Sequence, residues 1–426
     1  MLPREPYVDA WQELAQEKGM IFLSGPRQSG KTTLAKIIAA SFTNSLYFNW
    51  DIPDHRTRFL GDYRFFESVE RKDATPPLII FDEIHKYRDW KNALKGIYDE
   101  FHEAYRFLVT GSGRLDLYQK GGDSLAGRYF PFHLFPLTVA ELAGRRRSLE
   151  EFRRTPFRIS MEGAGEAQAV WEQLSELSGF PEPYLSGRKT TWRRWSQTYA
   201  RQLIREDIRD LAGIKSVQDL ETLYLLLPTK VGSPLSIPSL AGDLKVSYNS
   251  VRNWLDVFER FYLTFGVATW TGRIARAIQK ERKIYLWDYA RIQEPAARFE
   301  NMVAAELWRA VVFWNDLGYG RFSLHFVRDK EKREVDFLIA DEGAPFLLVE
   351  AKLGDKEPAK TLRFFQEKLQ IPAVQLTGEG DSYRLFGDGE GQILVAPAAA
   401  WLSHLPWCEW TRQDKGRMSE EFISIH

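Results

Sequence analysis

Two stretches of this chain carry residues whose types and spacing could do chemistry. In Gly25-Pro26-Arg27-Gln28-Ser29-Gly30-Lys31-Thr32-Thr33, two glycines stand in the spacing G-x-x-x-x-G-K-[ST]. Such a loop lets successive backbone N–H groups turn around a phosphate with no Cβ in the way. Lys31 then reaches the β- and γ-phosphates of a nucleotide, and the Thr32 hydroxyl ligates Mg²⁺. Fifty positions after Thr32, the apolar run Leu78-Ile79-Ile80-Phe81 ends in Asp82-Glu83. Asp82 suits the Mg²⁺ shell, and Glu83 suits the water that attacks the γ-phosphate. Without the loop before them, two acids after a strand would read as a solvated turn. In the second stretch, Glu350-Ala351-Lys352 is an E-x-K whose two charged side chains share one face of a strand. Asp336 precedes Glu350 by fourteen positions, about the length of a hairpin.

The elements around the loop fit that chemistry. Apolar Ile21-Phe22-Leu23 leads in as a strand, and LAKIIAA leads out with helical spacing, so the loop caps a helix N-terminus that attracts anions. The run Leu78–Phe81 has no polar alternation, as expected of a strand buried on both faces of a parallel sheet. Its acids then lie at the carboxyl end, where open α/β sheets place ligands. Residues 46–51 read as another strand, and Arg106–Thr110 as a third, ending in Gly111-Ser112-Gly113-Arg114. Thr110 or Ser112 could bond the γ-phosphate or the lytic water; a helix cap is the local alternative. Arg128, or Arg114, is the candidate cation for transition-state charge, reaching across a subunit boundary, against the plainer reading of a surface arginine. Residues 1–20 read as an amphipathic helix with Trp11, Leu14 and Ala15 on one face, placed beside the nucleotide site.

At 426 residues the chain exceeds one ordinary core, and about two to four domains are expected. Lys+Arg and Asp+Glu both number 58, so net charge gives no vote for nucleic acid, and any such contact must come from local patches. Cys408 is the one cysteine, which excludes an internal disulfide and a cysteine-rich zinc site. The seven histidines lack ligand spacing, so a zinc site or a histidine-based hydrolase finds no support. No apolar run approaches the roughly 20 residues of a membrane span, and no signal-peptide core is seen at the amino end. The expected address is cytoplasmic, with no membrane partner.

After Arg145-Arg146-Arg147 the pattern turns helical, with Gly179–Tyr184 expected as a rigid turn because two prolines fix φ. Residues 237–244, a turn at 245–247 and residues 248–261 give the short-turn-long pattern of a helix-turn-helix, apolar at Val251, Trp254, Leu255 and Phe258. The segment FYLTFGVATW would be its wing. Exposed Tyr248, Asn249, Arg252 and Asn253 could then face a DNA groove, or the module could serve contacts between domains. Arg188, Lys189, Arg193 and Arg194 interleave with Trp192 and Trp195, and Arg273, Arg276, Lys280, Arg282 and Lys283 follow the wing. Arginine beside aromatics suits phosphate and base contact, although most charge runs are solvated faces. Phe299-Glu300-Asn301 opens an apolar-periodic helix; residues 334–339 and 347–352 read as strands.

The segments GPRQSGKTT, LIIFDEIHK, LVTGSGR, SLAGRY and SGFPEPYL resemble the bacterial and archaeal AAA+-type ATPases with a conserved C-terminal domain of uncharacterised role. The ordered helix, strand and E-x-K strand resemble the PD-(D/E)xK nuclease superfamily, including archaeal Holliday-junction resolvases. These resemblances imply an α/β multidomain chain: a P-loop AAA+ parallel-sheet core over 1–145, a helical region over 146–230, a winged helix over 231–290, and a restriction-endonuclease-like α/β domain over 291–426. They imply ATP and Mg²⁺ as cofactors, with Lys31, Glu83, Thr110 and Arg128 catalytic and Gly25 to Thr33 around the nucleotide. Thr32 and Asp82 would hold one Mg²⁺; Glu300, Asp336 and Glu350 would hold another beside Lys352, which orients water. A strand-end salt bridge also accounts for the E-x-K, and cleavage stays open. The expected function is a Mg²⁺-dependent ATPase acting on duplex or branched DNA as a homo-oligomer, with a hexameric ring as one form. The alternative is a nucleotide-switch scaffold in signalling or defence that recruits a protein partner without cutting DNA.

Overall fold

The computed structural model describes residues 2–111, 125–145, 147–208, 216–271, 282–354, 357–378, 383–387 and 391–408. Ser112, Arg114, Arg273, Arg276 and Lys280 lie outside them. Two units emerge: Met1–Pro136 with Arg260–Tyr262, and Leu137–Glu259 with Leu263–His426.

In the first unit, β1 (Met20–Ser24), β2 (Ser45–Asn49), β3 (Leu78–Asp82), β4 (Arg106–Thr110) and β5 (Phe130–His133) form a parallel sheet in the order β2-β3-β4-β1-β5. Every residue of β1 and β3 is buried, the signature of strands covered on both faces. Helix α1 (Glu5–Glu17) buries Tyr7, Ala10, Trp11, Leu14 and Ala15, one face at helical spacing. Helix α2 (Lys31–Ala40) follows the loop directly. An aromatic cluster that includes Phe48, Phe59, Phe66, Phe81 and Phe107 packs the core and holds β2, β3 and β4 in register. Because β4 lies between β1 and β3, Thr110 pairs with Leu23 on one side and Asp82 on the other. The loop strand and the acid strand thus converge on the end of β4.

The second unit has a mixed eight-stranded sheet, β12-β13-β11-β10-β9-β8-β6-β7. Its members are β6 (Thr264–Thr269), β7 (Arg282–Leu286), β8 (Phe322–Arg328), β9 (Glu334–Asp341), β10 (Ala344–Lys352), β11 (Ala373–Thr377), β12 (Arg384–Phe386) and β13 (Ile393–Pro397). Strands β9 and β10 form the expected hairpin. Its two turn residues, Glu342 (φ 51°) and Gly343 (φ 85°), both take positive φ, which matches the right-handed twist of the flanking strands. The long helix Pro295–Asp316 carries Glu300 and is packed against β8 and β10.

Three expectations change. The segment Pro181–Ser186 is a helix, not a rigid turn: Pro181 starts it, where a missing N–H costs nothing, and Pro183 still lies in the first turn. The helix-turn-helix pair is present as Ile237–Leu244 and Tyr248–Arg260, joined through Lys245 at φ 55°. The strand assigned to a wing is β6, however, which pairs with β7 and, across the expected boundary at 290, with β8. Its exposed edges gain more from ladder hydrogen bonds than from water. Finally, Trp192 and Trp195 are buried; Trp195 stacks on Tyr199, and the Trp192 indole donates to Asp288 at 2.9 Å. Neither can take a base, although Arg188, Lys189, Arg193 and Arg194 are exposed as expected.

Candidate functional site

The loop between β1 and α2 is built on backbone conformations that few residues adopt. Gly25 has φ 136°, Gln28 62° and Gly30 98°. A Cβ on Gly25 would meet the Leu134 carbonyl oxygen at 2.2 Å, so glycine is required for space as well as for φ. The Lys31 ammonium donates to the carbonyls of Gly25 (3.0 Å) and Pro26 (2.6 Å) from inside the loop. Buried Ser29 Oγ has no hydrogen-bond partner among the described residues. A cradle closed to Cβ, an ammonium bonded to two loop carbonyls and an unsatisfied hydroxyl fit a polyphosphate, whose charged oxygens make bonds roughly twice as strong as neutral ones. Behind the loop, the buried Arg4 guanidinium donates to Ser29 O and Phe135 O, both at 2.9 Å.

Asp82 closes β3 opposite the loop. Thr32 Oγ1 donates to its Oδ2 at 2.9 Å, Tyr47 OH to the same oxygen at 2.5 Å, and Thr110 Oγ1 to Oδ1. Asn49 adds a longer bond of 3.4 Å. All four donors are neutral, and the carboxylate is almost wholly buried. A buried carboxylate beside a hydroxyl suits a hard divalent cation that prefers oxygen. The donation from Tyr47, together with burial, pushes the Tyr47 phenol well above its ordinary range, burial being the larger cause.

Glu83 follows at φ 59°, a left-handed conformation that costs a non-glycine residue energy and clusters at functional sites. Its N–H donates to Thr110 O at 3.1 Å, which fixes it beside β4. Lys86 lies 3.2 Å from its carboxylate and 2.7 Å from Asp51. Burial raises the Glu83 carboxyl above its ordinary value, with Lys86 and Lys31 pulling the other way. A raised carboxyl is better matched to taking a proton near neutral pH. Thr110, Thr32, Asp82 and Glu83 are therefore brought together, with Gly25 to Thr33 facing them.

Arg128 is elsewhere. It precedes β5, whose Phe130 pairs with Ile21 near the start of β1, so it lies about 13 Å or more from the loop of its own chain. There it forms a two-bond ion pair with Asp99 at 2.6 and 3.1 Å.

The second acidic group comes together too, but around a residue the sequence pattern placed in a basic run. Fully buried Lys283 has its Nζ 2.8 Å from Glu334, 3.0 Å from Glu300 and 3.2 Å from Asp336. Tyr285 OH also donates to Glu300 at 2.8 Å. Asp336 accepts from Ala351 N (3.1 Å), Glu350 accepts from Asp336 N (3.2 Å), and Lys352 pairs with Glu350 at 3.1 Å. Burial and repulsion from Asp336 push both the Glu300 and the Glu350 carboxyls up. Burial pulls Lys283 down, but Asp336, Glu300 and Glu334 more than reverse it and hold the ammonium above the usual lysine range. The expected Mg²⁺ on Glu300, Asp336 and Glu350 does not fit this arrangement. The central position belongs to an ammonium, and among the described residues no group of three acidic, His or Cys side chains has metal-holding geometry.

A family model described as an AAA domain matches residues 17–143. The first unit carries an AAA-type ATPase domain. Two further models match residues 169–292 and 296–397, described as domains of unknown function DUF8612 and DUF4143. The chain is 20% identical over 369 residues to the uncharacterised protein Rv2008c of Mycobacterium tuberculosis, covering 85% of this chain and 77% of that one. It is 23% identical over 432 residues to the uncharacterised protein MJ1637 of Methanocaldococcus jannaschii, covering 91% and 85%. Among solved structures it is similar to the Walker-type ATPase PABY2304 of Pyrococcus abyssi, with TM-score 0.43, 14% identity, and 68% of this chain and 95% of that chain covered. It is also similar to Aeropyrum pernix ORC1, solved in complex with DNA, with TM-score 0.31, 12% identity, and 71% and 92% covered. Among the described residues no helix is long and apolar enough to cross a membrane.

Sequence reasoning missed Tyr47, Asn49, Lys86 and Arg4 at the AAA site. The end of a strand beside the acid strand was the available signal for Tyr47 and Asn49, because Asn49 pairs with Asp82 in register. No sequence signal pointed to Lys283 or Tyr285 at the second cluster.

Proposed function

We propose that this chain is a Mg²⁺-dependent ATP hydrolase that couples nucleotide turnover to work on DNA. The observation that carries the hydrolytic half is the convergence of Thr32, Thr110 and Asp82 under a loop that only glycine can form. In this mechanism the loop N–H groups and Lys31 bind the β- and γ-phosphates. Thr32 and Asp82 would hold Mg²⁺, which would supply charge neutralisation there. Glu83 orients the attacking water and takes its proton as the new P–O bond forms and the bond to the bridging oxygen breaks. Thr110 and Tyr47 keep Asp82 in place. Arg128, remote from its own loop, acts in trans in a homo-oligomer.

The DNA half is supported by the helix Tyr248–Arg260, whose Val251, Trp254, Leu255 and Phe258 are buried while Tyr248, Asn249, Arg252 and Asn253 are exposed. That division leaves polar, planar and basic groups on the face a recognition helix uses. Phosphate release measured with duplex, single-stranded and four-way junction DNA tests both halves. Lys31→Ala should lower the rate on the order of 10²-fold or more, and Glu83→Gln should abolish hydrolysis while ATP still binds. DNA should raise the wild-type rate, and Arg252→Ala should weaken that stimulation. Absence of binding to all three DNAs at low salt would remove the DNA half and leave a nucleotide switch that recruits a protein partner.

A further inference from the structure

We propose that the Lys283 ammonium is the permanent cation of the second acidic cluster, holding the place that a divalent metal takes in PD-(D/E)xK nucleases, so that this unit is metal-free and does not hydrolyse DNA. The inference stands apart from the ATPase and DNA proposals, since it concerns only residues of the second unit.

An ammonium has three donors, and Lys283 directs them to three carboxylates: Glu334 at 2.8 Å, Glu300 at 3.0 Å and Asp336 at 3.2 Å. These separations are the size of N–H···O bonds; Mg²⁺ binds oxygen at about 2.1 Å and demands near-octahedral geometry. Three further oxygens of the cluster have partners of their own. Asp336 Oδ2 accepts from Ala351 N, Glu350 Oε1 pairs with Lys352, and Glu350 Oε2 accepts from Asp336 N. Glu300 Oε1 accepts from Tyr285 as well as from Lys283. A metal would have to expel a wholly buried ammonium and leave it unpaired in the core, which is costly in a low-dielectric interior.

The way Lys283 arrives is also built in. By sheet order, β7 is three strands from β9, about 14 Å in a flat sheet. Strand β6 meets β8 at its carboxyl end, through Ala268, Thr269 and a Trp270 N–H donated to Phe326 O at 2.7 Å, while Lys283 on β7 reaches Glu334 and Asp336 of β9. Packing of Tyr285 on Phe337, with ring centroids 5.9 Å apart, and Lys283 over Phe326 at 5.6 Å holds it there.

Mn²⁺ titration of the nucleotide-free full chain tests this, read by calorimetry and by the thermal midpoint. Wild type and Asp336→Asn should give the same Mn²⁺ response, and wild type should leave four-way junction DNA uncut. In Lys283→Ala, Mn²⁺ should produce a saturable isotherm and raise the midpoint, and adding Asp336→Asn should remove both effects. Mn²⁺ binding by the wild type that is lost in Asp336→Asn, or junction cleavage lost with it, overturns the proposal. So does a folded Lys283→Ala protein with no new Mn²⁺ binding. If Lys283→Ala does not fold, the comparison of wild type with Asp336→Asn decides alone.

Discussion

The AAA site and the second cluster use the same ingredients, buried carboxylates and lysine, in opposite arrangements. At Asp82 the donors Thr32, Tyr47, Thr110 and Asn49 are all neutral, and Lys31 donates to loop carbonyls. At Asp336 the acid meets an ammonium buried with it. A neutral donor yields to a cation at small cost, because the carboxylate keeps its charge to offer. A buried ammonium cannot leave without stranding charge. The difference separates a site that can gain and lose a ligand from one whose balance is complete on folding.

The largest effect expected from breaking this contrast is in Lys283→Met. It keeps the volume and removes the charge, stranding Glu300, Glu334 and Asp336, and should destabilise the second unit by about 3–5 kcal/mol in denaturant titrations. The equivalent loss at the AAA site should leave the fold nearly intact. A smaller effect isolates burial from clustering. Glu306, buried in the second unit, accepts from Val139 N at 2.6 Å, and its carboxyl is pushed up to about 7, chiefly by burial. A carboxyl raised on folding favours the folded state at low pH, fully so below about 4.5, and that contribution is lost as pH rises through about 7. Glu306→Gln should remove up to about 3 kcal/mol of this pH dependence, seen as a flatter curve of stability against pH. The smallest effect is in Tyr47→Phe. Losing one of several neutral donors on Asp82 should cost about 1 kcal/mol, read as a few-fold rise in the Mg²⁺ concentration for half-maximal ATPase activity. A change as large as that of Lys283→Met would blur the distinction.

What could be read from the sequence divides along the same line. The loop, α2 and the Asp82-Glu83 pair were legible because each rests on local spacing: glycines where φ is positive, and a continuous apolar run where a strand is buried on both faces. The E-x-K hairpin was legible through the two-residue periodicity of β10 and its nearness to β9. Lys283 was not, because its surroundings come from β9 and the Pro295–Asp316 helix, and beside Arg282 it looked like part of a solvated basic run. Arg282 does behave so: it is exposed and pairs with half-buried Glu259 at 3.4 Å. Alternation along β7 sends its neighbour to the opposite face, but which face is inward depends on the strands and the helix that pack against it. Trp192 and Trp195 were misjudged for a related reason. Arginine beside tryptophan reads as a nucleic-acid face only when the helix turns both outward, and here one stripe faces the core while the other faces solvent.

Arg4 gives the loop a dependency remote from its own motif. With one guanidinium tied to both Ser29 and Phe135, the chain's opening residues behave as a guy-line on the nucleotide cradle. Fusions, cleavage scars or trimmed variants that disturb this anchor should therefore weaken ATP affinity even with GKTT intact, and preparations differing only in their first few residues need not give the same enzyme.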